Sequence, residues 1–290
     1  MPRPELEDLG IAHRRIPILS IGRDVYVDTR LIFAKLDELK NYPAITPTTP
    51  EHALIMDLLS EYITDAGVFT KIADILLASD APIAQDPAFI KDREDLLGHK
   101  IAKEDHAQMT SSGLIRLQEF FGRLENTILS DGRIWLFNTP SPTRGDIEGI
   151  WPALFLAGMD GVLPEDKFSP KIFPKVYAWI QRFKSMVDAA TAQAPEIKSL
   201  NGAGALASVT GTDYHDELGS VDPTDFDVAA FGIKAGDTVS FGPLDYGCTQ
   251  RDKGKLLSLN AQEVVLDVAT KNGSSIRLHA PRHGFQLRKE

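Results

Sequence analysis

Two short apolar runs dominate the start of the chain: Ile16-Pro17-Ile18-Leu19 and Asp24-Val25-Tyr26-Val27, with Ile21-Gly22-Arg23 between them. Paired runs of this length around a glycine predict a β-hairpin. From Asp28 the spacing changes: Leu31, Ile32, Leu36 and Leu39 recur at helical intervals, and Asp28 or Thr29 suits the cap of that helix. Pro4 to Leu9 predicts a short helix leading into the hairpin, and Pro43, Pro47 and Pro50, with threonines between them, predict a linker.

The pattern that follows is helical. Leu54, Ile55, Leu58, Leu59, Tyr62, Ile63, Val68, Phe69, Ile72, Ile75 and Leu76 predict one long helix starting at Pro50 and bending at Gly67. Met109, Leu114, Leu117, Phe120, Phe121, Leu124 and Ile128 predict a second. Ile147, Ile150, Trp151, Leu154 and Phe155 predict a third, opened by Thr143 and Asp146 in capping-box positions. Phe173, Val176, Tyr177, Ile180 and Phe183 predict a fourth. The only strand-like run among them is Ile134-Trp135-Leu136-Phe137, and Trp135, Trp151 and Trp179 are expected to pack the helical core.

Beyond Leu200, Asn201-Gly202-Ala203-Gly204 and the acidic stretch from Asp213 to Asp227 predict a linker. Five short strand candidates follow at Thr238–Phe241, Lys255–Leu259, Glu263–Val268, Ser275–His279 and Phe285–Leu287, punctuated by glycines and by the hairpin signal Asn272-Gly273. Five such strands predict a small barrel-like domain.

Composition narrows the function classes. The net charge of -10 and pI of about 5.2 disfavour nucleic acid and anionic lipid as partners. Cys248 is the only cysteine, so no intrachain disulfide forms, which suits a reducing compartment; no apolar run is long enough to span a bilayer, and a cytoplasmic protein is expected. His279 and His283 lie about 13 Å apart along a continuous strand at ~3.3 Å per residue, too far to share a metal, so no metal site is expected.

The segment Arg15-Ile16-Pro17-Ile18-Leu19, then Gly22, then Tyr26-Val27-Asp28-Thr29-Arg30-Leu31-Ile32 resembles the glutathione-binding segment of glutathione transferases. Ser141-Pro142-Thr143-Arg144-Gly145-Asp146 resembles the capping-box turn that opens a core helix of that family's helical domain. The likeness covers residues 1–194. It implies an α+β multidomain chain: a partial thioredoxin-like module over 1–41, an all-α bundle over 50–194, and a linker with the small barrel-like β domain over 206–290.

The resemblance further implies a cis Ile16–Pro17 peptide. It implies glutathione as co-substrate or ligand, held by the main chain of Ile16 and Pro17 as an added strand and by Asp28 and Thr29 at the opening of the helix. A small electrophilic or hydrophobic molecule would be the second partner, and a homodimer the expected assembly. The family's catalytic Tyr, Ser or Cys lies in a strand-helix-strand unit before the hairpin. About fifteen residues precede Pro17, against roughly 30 for such a unit, so no catalytic residue is assigned and conjugation is expected to be impaired. The competing expectation is a non-catalytic binding or scaffold protein using the same fold as a dimerisation platform.

Overall fold

The computed structural model describes residues 3–39, 45, 49–159 and 161–290. The predicted linker prolines Pro43 and Pro47 lie outside them. In chain order the helices are α1 (Pro4–Asp8), α2 (Thr29–Glu38), α3 (Pro50–Thr64), α4 (Val68–Leu77), α5 (Pro87–Leu97), α6 (His106–Arg123), α7 (Arg144–Ala157), α8 (Pro174–Gln193), α9 (Gly202–Thr210) and α10 (Phe226–Phe231). The strands are β1 (Ile18–Ile21), β2 (Asp24–Val27), β3 (Thr238–Pro243), β4 (Asp252–Leu259), β5 (Glu263–Ala269), β6 (Ser275–Pro281) and β7 (Phe285–Lys289). The chain divides into two compact units: one gathers described residues of 1–39, 91–100 and 198–290, the other those of 40–90 and 101–197.

The first unit is built on one seven-stranded sheet in the order β1-β2-β6-β5-β4-β3-β7. The predicted hairpin forms, with Ile18 opposite Val27 and Ile21 opposite Asp24. A lone hairpin is marginal in water, and here β2 finds a second partner: β6 runs parallel to it, with Val25 opposite Leu278 and Tyr26 opposite His279. The five C-terminal strands therefore do not stand apart as a barrel. They form an open sheet that takes in the hairpin, because the free edge of β2 and that of β6 satisfy each other. Strand alternation divides β2 between two cores. Val25 and Val27 join Val239, Phe241, Leu256, Leu266 and Leu278 on one side, while Tyr26 packs with Leu31 and Ile32 of α2 on the other.

The predicted linker after Leu200 contains α9 and α10. Asn201 caps α9, its side chain accepting from the Gly204 amide at 2.8 Å. A Cβ on Gly202 would meet the Glu5 side chain, so the small residues that read as flexible instead allow α9 to approach α1 closely.

The second unit is helical. The predicted long helix is two, broken where Gly67 adopts φ 89°. Thr49 caps α3 by accepting from the His52 amide at 3.2 Å. The core gathers on Phe121, edge-on to Phe168 at 5.5 Å and Phe173 at 5.3 Å, with Trp179 wholly buried and Trp135 nearly so. Glu125 reaches the start of α8, where its Oε2 accepts from the amides of Lys175 at 2.9 Å and Val176 at 3.0 Å. Ile134–Phe137 is not a strand. It turns on a bond from the Asn138 amide to the Trp135 carbonyl, and Trp135, Leu136 and Phe137 are all buried, the first two in the main helical core. No described helix is long and apolar enough to cross a membrane.

Candidate functional site

The four residues singled out from the sequence leave the same end of the hairpin. Because Ile18 faces Val27, the next steps outward are Pro17 and Ile16 on one arm and Asp28 and Thr29 on the other. The Ile16–Pro17 peptide is cis. Ile16 is 74% exposed, Pro17 and Thr29 are exposed, and Asp28 is half-buried. β1 is the terminal strand of the sheet, so its outer edge has no strand beside it among the described residues.

Asp28 caps α2, its Oδ1 accepting from the Arg30 amide at 3.0 Å. Its backbone holds φ 73° and ψ 133°, a region that non-glycine residues occupy at a cost of order 1–3 kcal/mol and that clusters at functional sites. The first amides of α2 open beside an exposed threonine, at the same end of the hairpin as the exposed Ile16 and Pro17. Such an arrangement accommodates a carboxylate at the helix start and an extended peptide along the strand.

Tyr26, the hairpin's tyrosine, is wholly buried, with the Asp216 carboxylate facing its hydroxyl. Burial, followed by the carboxylates of Asp216, Asp24 and Glu263, raises its pKa far above the phenolic range. It offers no phenolate to a ligand at the hairpin's open end. Asp146, which reads from sequence as a cap and not a base, is fully buried. Its Oδ2 accepts from the Thr143 amide at 2.9 Å and the Thr143 hydroxyl at 3.1 Å. Its Oδ1 accepts from the Leu136 amide at 2.8 Å and the Trp179 indole at 3.0 Å.

Two buried polar clusters have no sequence signal, because each joins the N-terminal segment to residues far along the chain. In the first, His279 Nε2 meets Asp24 Oδ1 at 2.8 Å and Nδ1 meets Glu263 Oε2 at 3.4 Å. Asp24 also accepts from the amides of His215 at 2.6 Å and Asp216 at 3.0 Å, while Lys35 of α2 pairs with Asp216 at 2.8 Å. Burial pulls the His279 pKa down, but its bonds to Asp24 and Glu263 outweigh burial, and the net shift is upward. In the second cluster, Asp252 Oδ1 accepts from the amides of Ala12 at 2.6 Å and His13 at 3.2 Å. Burial raises the Asp252 pKa to about 7 against those bonds, and Oδ2 has no partner among the described residues.

A family model described as a domain of unknown function, DUF7962, matches residues 72–192. No curated protein matches the sequence. A solved GST-like protein from Pseudomonas syringae superposes with a TM-score of 0.65 at 21% identity, over 100% of this chain and 86% of that one. The beta-etherase LigF from Sphingobium sp. strain SYK-6 gives 0.44 at 15% identity, over 59% of this chain and 74% of its own. A Tau class glutathione S-transferase from mango, Mangifera indica, gives 0.38 at 18% identity, over 67% and 82%. The chain has a glutathione-transferase-like fold, on the strength of the first of these likenesses.

Proposed function

We propose that this chain, with its glutathione-transferase-like fold, binds glutathione at the open end of the hairpin and turns it over poorly. The main chain of Ile16 and Pro17 pairs with the peptide, Asp28 accepts from its amine, and Thr29 with the first amides of α2 holds its carboxylate. A small electrophilic or hydrophobic molecule is the second ligand, and the setting is cytosolic. The observation that carries this reading is the strained cap: Asp28 holds φ 73° at the end of β2, next to an exposed threonine and across the hairpin's open end from the exposed Ile16 and Pro17. Poor turnover is supported by the burial of the Tyr26 hydroxyl, which leaves that group unable to stabilise a thiolate at the hairpin's open end.

Calorimetric titration with glutathione, run beside a conjugation assay with a generic aryl halide, tests both parts. Binding that weakens about tenfold in Asp28→Ala, a loss of about 1.4 kcal/mol, supports the site. No binding, or equal binding by wild type and variant, overturns it. Robust conjugation overturns the claim of poor turnover.

A second reading, a non-catalytic scaffold, is favoured by a different observation. Leu54, Ile55 and Leu58 are 60%, 43% and 54% exposed on successive turns of α3, an apolar ridge of the kind that marks association surfaces. Glutathione binding without turnover by a stable dimer distinguishes that reading from an active transferase.

A further inference from the structure

The arm of the hairpin that carries Ile16 and Pro17 is held by residues from the other end of the chain. Arg15 donates to the Tyr246 carbonyl from Nε at 3.2 Å and from Nη2 at 2.6 Å, and its Nη2 also bonds the Asp245 carboxylate. The same guanidinium lies 3.8 Å from the centroid of the Tyr246 ring, within the range of a cation–π contact. The Arg15 side chain is 13% exposed and that of Asp245 47%. Just before it, the amides of Ala12 and His13 are bound by Asp252, and the His13 ring is stacked against Phe285, with centroids 5.9 Å apart.

Asp245 and Tyr246 belong to the loop between β3 and β4, and that loop is itself fixed. The Leu244 amide donates to the Gly284 carbonyl at 2.9 Å, and the Gly247 amide to the Leu96 carbonyl at 2.6 Å. Arg15 therefore reaches a carbonyl, a carboxylate and an aromatic face that are already in place. A planar guanidinium can bond the first two and stack on the third at once, which a lysine ammonium cannot do.

Ile16 follows directly and is 74% exposed, so packing of its own side chain does little to fix its main chain. Its position is set by the chain on either side: by Ile18, opposite Val27, and by Arg15. A ligand that pairs with main-chain groups binds better when they are ordered beforehand, because ordering one residue costs about 1–2 kcal/mol. We infer that Arg15 is a positioning residue for glutathione and that the β3–β4 loop is thereby a working part of the site, an inference that rests on the reading of the hairpin's open end given above. Arg15 acts through Ile16 and not by contact with the ligand, since its fork is engaged by Tyr246 and Asp245.

Two ligands titrated by calorimetry into the whole chain separate positioning from folding. Glutathione engages both arms of the hairpin. The γ-glutamyl methylamide keeps the amine and carboxylate assigned to Asp28 and Thr29 but lacks the cysteinyl backbone assigned to Ile16 and Pro17. Arg15→Gln is expected to weaken glutathione about tenfold, the order of one lost charge-assisted hydrogen bond, and to leave the γ-glutamyl ligand unchanged. Asp245→Asn alters a half-exposed side chain and should weaken glutathione about threefold, as for a surface ion pair, with the same selectivity. Asp28→Ala, by contrast, should weaken both ligands. The inference is overturned if Arg15→Gln binds glutathione as wild type does, or if it weakens both ligands alike, which would make Arg15 a support of the fold alone. Should Arg15→Gln fail to fold, the same two outcomes in Asp245→Asn decide. Wild type that binds neither ligand strikes the glutathione reading itself and the inference with it, a result distinct from wild-type binding that survives the substitutions.

Discussion

Asp146 and Asp252 are both buried carboxylates, and their surroundings give them opposite characters. Asp146 accepts from two amides, a hydroxyl and an indole, so its charge is satisfied on every side. Asp146→Ala strands those donors in the interior at about 1–3 kcal/mol for each left unpaired. A loss of about 3 kcal/mol or more is expected in urea unfolding, with glutathione affinity unchanged in the folded fraction. Asp146→Asn, which keeps an acceptor, should lose less. Loss of binding at unchanged stability would instead make Asp146 a site residue. Among the described residues Asp252 has two donors, both on one oxygen, and none on the other, and its folded pKa of about 7 lies above the unfolded one of about 3.9. The fold therefore holds the protonated form better, and stability falls as pH rises from about 4 to about 7. Asp252→Asn should remove that slope and equal or exceed wild type at pH 8, as read by melting temperature across pH.

At the scale of elements, the parallel join of β2 to β6 unites segments from the two ends of the chain, and His279 sits in that join between Asp24 and Glu263. Tyr26 lies against its ring at 4.6 Å, and Arg277 stands 3.9 Å from the Asp24 carboxylate. With both ring nitrogens protonated, each carboxylate receives a donor. Once neutral, His279 turns a lone pair toward one of them. Its folded pKa is raised above the unfolded value of about 6.5. The contribution is therefore full below about 6.5 and lost as pH rises through the folded value. His279→Gln should flatten the melting temperature over that alkaline window and lower it most at acidic pH. A variant as pH-dependent there as wild type would show that the bridge contributes nothing.

For the whole molecule, the open question of assembly rests on the ridge of α3. Leu58 is more than half exposed, whereas Leu59 packs on the helical core, so Leu58→Glu changes the surface and spares the interior. If the chain associates through this ridge, light scattering should show a dimer for wild type and a monomer for Leu58→Glu at equal melting temperature. A wild-type monomer at micromolar concentration removes the ridge as an interface.

The sequence by itself determined the elements that local chemistry fixes. Alternation and a glycine turn marked the hairpin, Thr143 and Asp146 marked the start of α7, and Asn272-Gly273 marked the β5–β6 turn. Asp28 and Thr29 were legible as a helix opening, and their order after Ile16-Pro17 made the candidate site readable, because all four residues lie within a short stretch of chain. Asn201 as the cap of α9 was equally local but was masked by the glycines around it. The tertiary structure alone decided that the C-terminal strands continue the N-terminal hairpin, that Trp135 to Phe137 is a buried turn, and that His279 meets Asp24 across 255 residues. These depend on which strand edges and charges find each other in three dimensions. Hydrophobic spacing says which face of a segment is buried, but it does not say against what.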